Sequence, residues 1–255
     1  MNRAEDTRQY FDRTAVRFSA NYRDSASFEE RQCVWDRCIE LSMGSLAHGV
    51  VCLDIGCGDG SLSRPIAARG HPTVGIDQST SMLSLATQRA QADGMLENVE
   101  YIEGTMPFSN GVVDRFRGRA GLILCSSVLE YVEDYAAALR QFDAMLASGG
   151  RIIVSVPNRQ SVYRGFERLI RWLLPSRDSY LRYQRHQFRA DMFKAQLVEL
   201  GLNIVHEEYF ALPLQTITAR VFGRYRGKRL ATLYLVVAEK LPARVGTFVP
   251  STMTA

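Results

Sequence analysis

Residues 50–60, VVCLDIGCGDG, constrain this chain more than any other stretch. The apolar first half is typical of a strand that is buried on both faces of a parallel sheet. Gly56, Gly58 and Gly60 follow at once, and glycines there permit a tight turn and a close approach of a ligand to the backbone. Residues 61–68 continue as an amphipathic helix. The stretch therefore predicts a strand, a glycine turn and a helix N-terminus, which together form a nucleotide-type site.

The spacing of these glycines and two nearby acids indicate a ligand other than a dinucleotide. The glycines read G-x-G-x-G, whereas a dinucleotide site has G-x-G-x-x-G. Asp54 and Asp59 would repel a diphosphate but would attract an ammonium group. A second strand ends in Asp77, close to the interval of about 20 residues at which an acid meets a ribose. This second acid favours a ligand site over the plainer alternative, a buried strand and glycine turn that bind nothing.

The motif resembles motif I of the class I S-adenosylmethionine-dependent methyltransferases, whose ligand carries an amino acid end and a sulfonium. The resemblance covers roughly residues 50–240 and is to small-molecule enzymes, of the kind that includes the ubiquinone-biosynthesis methyltransferases. It implies S-adenosyl-L-methionine as the cofactor, with Met82 near the adenine. The cofactor-binding residues expected on this basis are Asp54, Gly56, Cys57, Gly58, Asp77, Gln78, Met82, Thr105, Met106, Cys125, Ser126 and Tyr22.

Two positions depart from patterns of the related enzymes. Thr105 stands where an acid that receives the adenine amino group is commonest, so this contact would come from Thr105, from Glu103 or from a backbone carbonyl. Residues 125–128, CSSV, differ from the Asn/Asp-Pro-Pro-aromatic tetrad that DNA methyltransferases and some protein methyltransferases use to hold an amine. Methylation of base amino groups is therefore not expected, and no nucleic-acid partner is predicted.

The candidate catalytic residues are His186, Tyr131 and Glu130. Small-molecule relatives usually have Leu-Glu-His after the fourth strand, and Tyr131 replaces that histidine here. A base is useful if the acceptor is a hydroxyl, and His186 and Tyr131 are its candidates, while Glu130 would equally serve to hold the substrate. For each, the alternative is a purely structural role. The methylated atom, oxygen, nitrogen or carbon, is left open.

Regular alternation of strands and helices predicts an α/β fold, a doubly wound Rossmann-like sheet of seven mostly parallel strands. The last strand is expected to be antiparallel and to lie between the fifth and the sixth. Ser79 is the expected N-cap of the helix after the second strand, and Gly149-Gly150 the expected end of a helix over 135–146. The predicted strands cover residues 50–55, 72–76, 99–102, 121–126, 151–156, 203–210 and 233–238.

Three segments flank or interrupt the methyltransferase domain, which is predicted over residues 49–240. Residues 1–48 are rich in aromatics at helical spacing, and they predict a helical lid over the cofactor or, alternatively, helices that only cover a sheet edge. Residues 159–187 are predicted to be a helical insertion with an apolar face that includes Val162 and a basic face that includes Arg164. A substrate cap is favoured there over a membrane-surface helix or a dimer contact. Residues 241–255 are expected to be a loose tail.

Composition places the chain among ordinary globular proteins and leaves its partners open. At 255 residues with 46% hydrophobic content and a formal charge of +4, it suits one α/β domain and argues only weakly for an acidic partner. The sequence contains no run of about 18 apolar residues, so no membrane span is predicted. The N-terminus is charged and lacks the apolar core of a signal peptide. Five cysteines without a C-x-x-C pair favour reduced thiols, a cytoplasmic location and no metal. A monomer or a homodimer is expected.

Competing classes fit the residues less well. A nicotinamide oxidoreductase shares the fold, but the glycine spacing differs and no Tyr-x-x-x-Lys pair occurs. An inactive binding module is disfavoured because no cofactor motif is visibly broken. The expected function is therefore methyl transfer to a small, partly apolar acceptor such as a secondary metabolite, a quinone-like ring or a sugar. A lipid or quinone-like acceptor at a membrane surface is the second choice.

Overall fold

A computed structural model of the protein describes residues 3–24, 26–44, 46–47, 49–165, 182–211 and 227–242. Seven strands of this described part form one sheet in the order β3-β2-β1-β4-β5-β7-β6. The first five strands pair in parallel, and β7 is antiparallel to both β5 and β6. The predicted doubly wound sheet is confirmed. Its strands are β1 Val51–Ile55, β2 Thr73–Asp77, β3 Val99–Glu103, β4 Ala120–Ser126, β5 Leu146–Pro157, β6 Leu202–Phe210 and β7 Leu233–Lys240.

Helices cover both faces of this sheet. Two long helices precede the first strand, and a short 3-10 turn over Leu129–Tyr131 follows β4. No described helix is long and apolar enough to cross a membrane. The helices are α1 Arg3–Asp24, α2 Ala26–Met43, α3 Ser63–Ala67, α4 Thr80–Ala92, α5 Asn110–Phe116, α6 Tyr135–Met145, α7 Ala190–Glu199 and α8 Gly227–Leu230.

The central strands pack into two apolar clusters, one on each face of the sheet. In β1, Leu53 and Ile55 belong to one cluster and Cys52 to the other, because successive side chains of a strand point to opposite faces. Phe142 of α6 completes the first cluster, and Trp35 of α2 completes the second. Burial on both faces explains why the strands read as nearly continuous apolar runs.

The structure departs from the prediction at Gly149-Gly150, because α6 ends at Met145 and β5 begins at the next residue. Gly149 adopts a φ of +75°, and a Cβ on Gly150 would lie 2.8 Å from the carbonyl oxygen of Ala120. The glycines are therefore required within an irregular part of β5 that passes close to β4, and the predicted helix cap is wrong.

Much of two predicted segments lies outside the described residues. These parts are residues 166–181, the centre of the predicted insertion, and residues 243–255, nearly all of the predicted tail. The two ends of the insertion, residues 159–165 and 182–187, are described.

We expect Trp35→Ala to lower the free energy of unfolding by about 3–5 kcal/mol, the usual cost of deleting a buried aromatic side chain. Trp35 is 0% exposed where α2 packs on the sheet. Urea denaturation of the purified variants measures this loss. Val16→Ala is the control, because Val16 is 74% exposed and its loss should change stability by less than about 0.5 kcal/mol. Equal unfolding midpoints for the two variants would contradict the observed packing of α2.

Candidate active site

A cavity of about 700 Å³ lies at the carboxyl ends of β1, β2 and β4. Open α/β sheets bind ligands at this edge, where the strand order reverses, and here β1 lies between β2 and β4. Phe11 and Phe18 of α1 and Arg31 of α2 also line the cavity. The two N-terminal helices therefore contribute directly to its wall.

The glycine turn after β1 forms one part of the wall. Gly56 has a φ of +71° and Gly58 a φ of +53°, values that favour glycine. A Cβ on Gly56 would lie 2.2 Å from Cγ2 of Val128, so the turn also packs against the loop after β4. The Gly58 amide donates to Oδ2 of Asp77 at 2.9 Å. This hydrogen bond joins the ends of β1 and β2.

Asp77 is held by backbone donors and still lines the cavity. Besides Gly58, the amide of Ser79 donates to its Oδ1 at 2.9 Å. Burial raises the pKa of Asp77 above its ordinary value, and the backbone hydrogen bonds oppose this shift. A carboxylate has about four acceptor sites, so capacity remains for hydroxyl groups of a ligand.

Asp54 lies at the base of the same site and is 1% exposed. Its Oδ2 has no hydrogen-bond partner among the described residues. Burial raises the pKa of Asp54 to about 7, and hydrogen bonds from Ser63 oppose the shift. Leaving a buried acceptor without a partner is costly. A donor or cationic group of a ligand in the cavity would satisfy this oxygen.

Helix α1 is bound to the start of α4 by polar contacts. The Oδ1 of Asp12 accepts the Ser79 hydroxyl at 2.6 Å and the Ser81 amide at 3.1 Å. Further along α4, Arg89 donates to the Ser19 hydroxyl at 2.5 Å and forms an ion pair with Asp59. These contacts hold α1 over the cavity. Aromatic spacing predicts the helix, but nothing in the local sequence predicts its polar partners.

A second set of polar residues surrounds the loop after β4, and Glu130 is its centre. Glu130 is 2% exposed, lines the cavity, and has an Oε2 without a hydrogen-bond partner among the described residues. Burial raises the pKa of Glu130 to about 7, while the positive charges of Arg31 and Arg164 act in the opposite direction. The result is a buried carboxyl group that gains and loses its proton near neutral pH.

Arg31 and Arg164 are site residues that no sequence pattern predicted. Arg31 donates to the Ser126 hydroxyl at 2.6 Å and to its carbonyl at 3.3 Å, 95 residues away in the chain. Arg164 is 6% exposed although the sequence pattern places it on a polar helix face, whereas Val162 of the apolar face is 64% exposed. No local signal could identify either arginine, because both reach the cavity through tertiary contacts.

Most of the predicted site residues line this one cavity. Cys125 is not among the residues that line it, and it is buried in the apolar core. Tyr22 belongs to α1, but its side chain lies outside the described residues. The predicted residues that line the cavity are Asp54, Gly56, Cys57, Gly58, Asp77, Gln78, Met82, Thr105, Met106, Ser126, Glu130 and Tyr131.

His186 lies beside the loop after β4, outside the residues that line the cavity. Its Nε2 lies 2.9 Å from the carbonyl oxygen of Val132 and 3.2 Å from that of Glu133. Carbonyls only accept, so Nε2 carries a proton and donates. The amide of His186 also donates to the carbonyl of Glu130 at 3.2 Å. The side chain and backbone of His186 thus hold the loop that bears Glu130.

Fold and site together define a class I methyltransferase. Asp54 and Asp77 lie at the carboxyl ends of two adjacent parallel strands, and a glycine turn follows the first of them. An antiparallel last strand completes the sheet. A family model described as "Methyltransferase domain" matches residues 17–207. The chain belongs to the class I S-adenosylmethionine-dependent methyltransferase family, whose cofactor is S-adenosyl-L-methionine.

Curated relatives carry the name ubiquinone biosynthesis O-methyltransferase. The protein of Azorhizobium caulinodans is 34% identical over 130 residues, which are 49% of this chain and 49% of that protein. The protein of Acinetobacter baumannii is 26% identical over 186 residues, covering 69% and 76%. The protein of Erwinia tasmaniensis is 31% identical over 109 residues, covering 43% of each. This chain therefore spans less than half the length of two of these three relatives.

Solved structures of other methyltransferases share the fold. Magnesium protoporphyrin IX methyltransferase from Synechocystis with bound S-adenosylhomocysteine gives a TM-score of 0.68 at 20% identity, covering 92% of this chain and 99% of that one. Geranyl diphosphate methyltransferase in complex with geranyl diphosphate and sinefungin gives 0.68 at 14% identity, covering 94% and 100%. At such identities the likeness concerns the fold alone.

Glu130→Gln should change how stability depends on pH. The folded protein holds the proton of Glu130 more tightly than the unfolded chain, since the pKa rises from 4.5 to about 7. The unfolding free energy of the wild type should therefore fall, relative to Glu130→Gln, as pH rises through this window, by on the order of 3 kcal/mol. Urea denaturation between pH 4.5 and 8 measures it, with the exposed Glu199→Gln as control. If the unfolding free energies of the wild type and of Glu130→Gln changed with pH in parallel, the raised pKa of Glu130 would be disproved.

Proposed function

We propose that this chain transfers a methyl group from S-adenosylmethionine to a small-molecule acceptor. The supporting observation is a single cavity lined both by the Asp54 and Asp77 carboxylates and by Glu130 and Tyr131. Methyl transfer needs this continuity, because nucleophile and methyl carbon must meet in line at short distance. The volume of about 700 Å³ lies within the range of about 300–1,000 Å³ that is typical of small-molecule sites.

The residues at the glycine turn fit this cofactor. The remaining acceptor sites of Asp77 suit the two ribose hydroxyls, and the unpartnered Oδ2 of Asp54 suits an ammonium group. A Cβ on Gly58 would meet no described atom within 4 Å, so the backbone there is open to a ligand. Met82 and Thr105, which also line the cavity, are assigned to the adenine.

The cofactor supplies an electrophilic methyl group, so the protein must orient the acceptor, exclude water and, for a hydroxyl acceptor, remove a proton. Glu130, predicted as a catalytic residue that could hold the substrate, is better supported as the base than His186 or Tyr131. It lines the cavity with an unpartnered Oε2, and its pKa of about 7 suits proton uptake near neutral pH. Tyr131 also lines the cavity and is assigned to acceptor contact. The carbonyl partners of His186 support a positioning role for it.

A base of this strength favours an acidic hydroxyl as the acceptor. Phenols have a pKa of about 10, as in tyrosine, only about three units above that of Glu130, whereas the pKa of an alcohol is far higher and close to that of water. Phe11, Phe18 and Tyr131 give the cavity aromatic walls that suit a ring. The names of the curated relatives also denote transfer to oxygen. A phenol-type or enol-type acceptor is therefore the acceptor class that we propose.

The N-terminal helices and the insertion are assigned to closure of the site. Contacts of Asp12 with the start of α4 support the proposal that residues 1–48 form a lid. The two described ends of the insertion also contribute to the cavity wall, through Tyr163, Arg164 and Gln184. This supports the proposal that the insertion, residues 159–187, forms a substrate cap. The rings of Tyr10 and Tyr183 lie 4.9 Å apart, which supports contact between the proposed lid and the proposed cap.

Calorimetric titration with S-adenosylhomocysteine, with NAD as the control ligand, tests the cofactor. A screen of phenols and matched anilines with radiolabelled S-adenosylmethionine then tests the acceptor. We expect micromolar binding of S-adenosylhomocysteine, no binding of NAD, and transfer of the radiolabelled methyl group to the phenols. Binding of neither ligand would contradict methyl transfer. Label in anilines alone would contradict the hydroxyl acceptor.

Asp77→Asn should weaken binding of S-adenosylhomocysteine by about 1.5–3 kcal/mol, because hydrogen bonds to a charged acceptor are the stronger kind. The amide keeps the shape of the side chain but has fewer acceptor sites. Calorimetry measures the change, and Asp114→Asn, an exposed acid on α5, is the control. Unchanged affinity in folded Asp77→Asn would remove this residue from the ribose role.

Glu130→Gln should lower kcat for a phenolic acceptor by about 10²–10⁴-fold, the usual contribution of general base catalysis. Affinity for S-adenosylhomocysteine should stay unchanged, because the variant leaves the glycine turn intact. His186→Ala is the comparison. If His186 were the base, this variant should lose turnover to a similar extent. If His186 is a positioning residue, the variant should keep the pH profile of the wild type at a reduced rate. Wild-type kcat in Glu130→Gln would exclude it as the base.

A further inference from the structure

Outside the cavity, three potential metal ligands converge between α2 and the edge strand β6. They are Cys38 of α2 and His206 and Glu208 of β6, called here the α2–β6 cluster. One ligand atom from each residue lies within 4.8 Å of the others. The cysteine is 1% exposed, while the His206 and Glu208 side chains are 41% and 27% exposed. The cluster therefore combines a buried sulfur with two ligands that solvent can reach.

Strand geometry explains why these residues meet. His206 pairs with Val237 and Glu208 with Leu235, and paired residues of adjacent strands point to the same face. Val237 and Leu235 belong to the same apolar cluster as Cys38. His206 and Glu208 therefore face α2. Their positions in the folded sheet bring them to Cys38, which precedes them by 168 and 170 residues in the chain.

The two oxygens of Glu208 have different surroundings. Oε1 accepts a hydrogen bond from Arg37 at 2.6 Å, whereas Oε2 lies 3.6 Å from Nε2 of His206. An arginine on one oxygen orients the carboxylate and leaves the other oxygen directed towards the histidine. Outer hydrogen bonds of this kind fix ligand orientation in metal sites.

We propose that the α2–β6 cluster binds a zinc-type divalent metal ion through Cys38 Sγ, His206 Nε2 and Glu208 Oε2. Zinc bonds of about 2.0–2.3 Å to S, N and O ligands place tetrahedral donors roughly 3.3–3.7 Å apart. The 3.6 Å between His206 Nε2 and Glu208 Oε2 falls within this range, and one ligand atom of each residue lies within 4.8 Å of the others. Binding converts the thiol to a thiolate and releases its proton to solvent. Water completes the coordination from the exposed side. Metal binding was not expected from the sequence.

The ion would stabilise one wall of the cavity from a distance. Cys38 lies seven residues after Arg31 in α2, which is two helical turns and thus the same side of the helix. Arg31 lines the cavity and donates to Ser126 at the end of β4. An ion shared by α2 and β6 would hold α2 on the sheet edge and keep Arg31 in place. This role is independent of the proposed function.

Cobalt titration of the full-length, tag-free chain tests the proposal, in a Cys33→Ser background that removes the exposed thiol. We expect near-ultraviolet thiolate-to-cobalt absorption that saturates at one equivalent and disappears when Zn²⁺ displaces the Co²⁺. Zn²⁺ should also raise the Tm, since a ligand that binds only the folded state stabilises it. Absence of thiolate-to-cobalt absorption would overturn the proposal.

His206→Gln is the decisive variant, because this partly exposed side chain can be changed without opening the core. It should weaken Co²⁺ and Zn²⁺ binding by at least about tenfold and abolish the Zn²⁺-dependent rise in Tm. Glu208→Gln should act in the same direction, and Glu199→Gln, an exposed acid on α7, is the charge-matched control. Metal affinity equal to that of the Cys33→Ser parent in both cluster variants would overturn the site. Binding of S-adenosylhomocysteine, measured alongside, tests the proposed function separately.

Discussion

The carboxylate of Asp77 joins the parts of the structure on which the cofactor side of the cavity depends. One oxygen accepts the amide of Gly58 from the turn after β1, and the other accepts the amide of Ser79. Ser79 caps α4, and its hydroxyl donates to Asp12 of α1. A single acid therefore connects the glycine turn, a helix N-terminus and the helix that covers them. Its burial is tolerable because backbone donors compensate for lost water.

The other side of the cavity depends on contacts between distant segments. Glu130 follows β4, and its carbonyl accepts the amides of Arg185 and His186 from the end of the insertion. Arg31 comes from a helix that precedes the sheet, and Arg164 from the start of the insertion. Glu130 is thus placed by elements from three parts of the chain. The same burial that leaves its Oε2 unpartnered gives this carboxyl group its affinity for a proton near neutral pH.

This contrast explains what could be predicted from the sequence. The strand, the glycine turn and the Ser79 cap are local, and the predicted cap is confirmed by its bond to the Met82 amide at 3.2 Å. Arg31 could not be predicted, because its role comes from a partner 95 residues away. At Gly149 and Gly150 the local sequence predicted a helix cap that the structure does not have. Glycines also occur where two strands pass closely, and only the tertiary structure distinguishes the two cases.

The placement of β7 bears on the order in which the protein can assemble during synthesis. This strand is the last of the described strands in the chain, yet it lies between β5 and β6 and is the only strand that pairs with β6 in the described sheet. On the ribosome, β6 emerges without a strand to pair with until Leu233–Lys240 follows it. The contact of α2 with β6 through Arg37 and Glu208 therefore forms only after most of the chain has been translated.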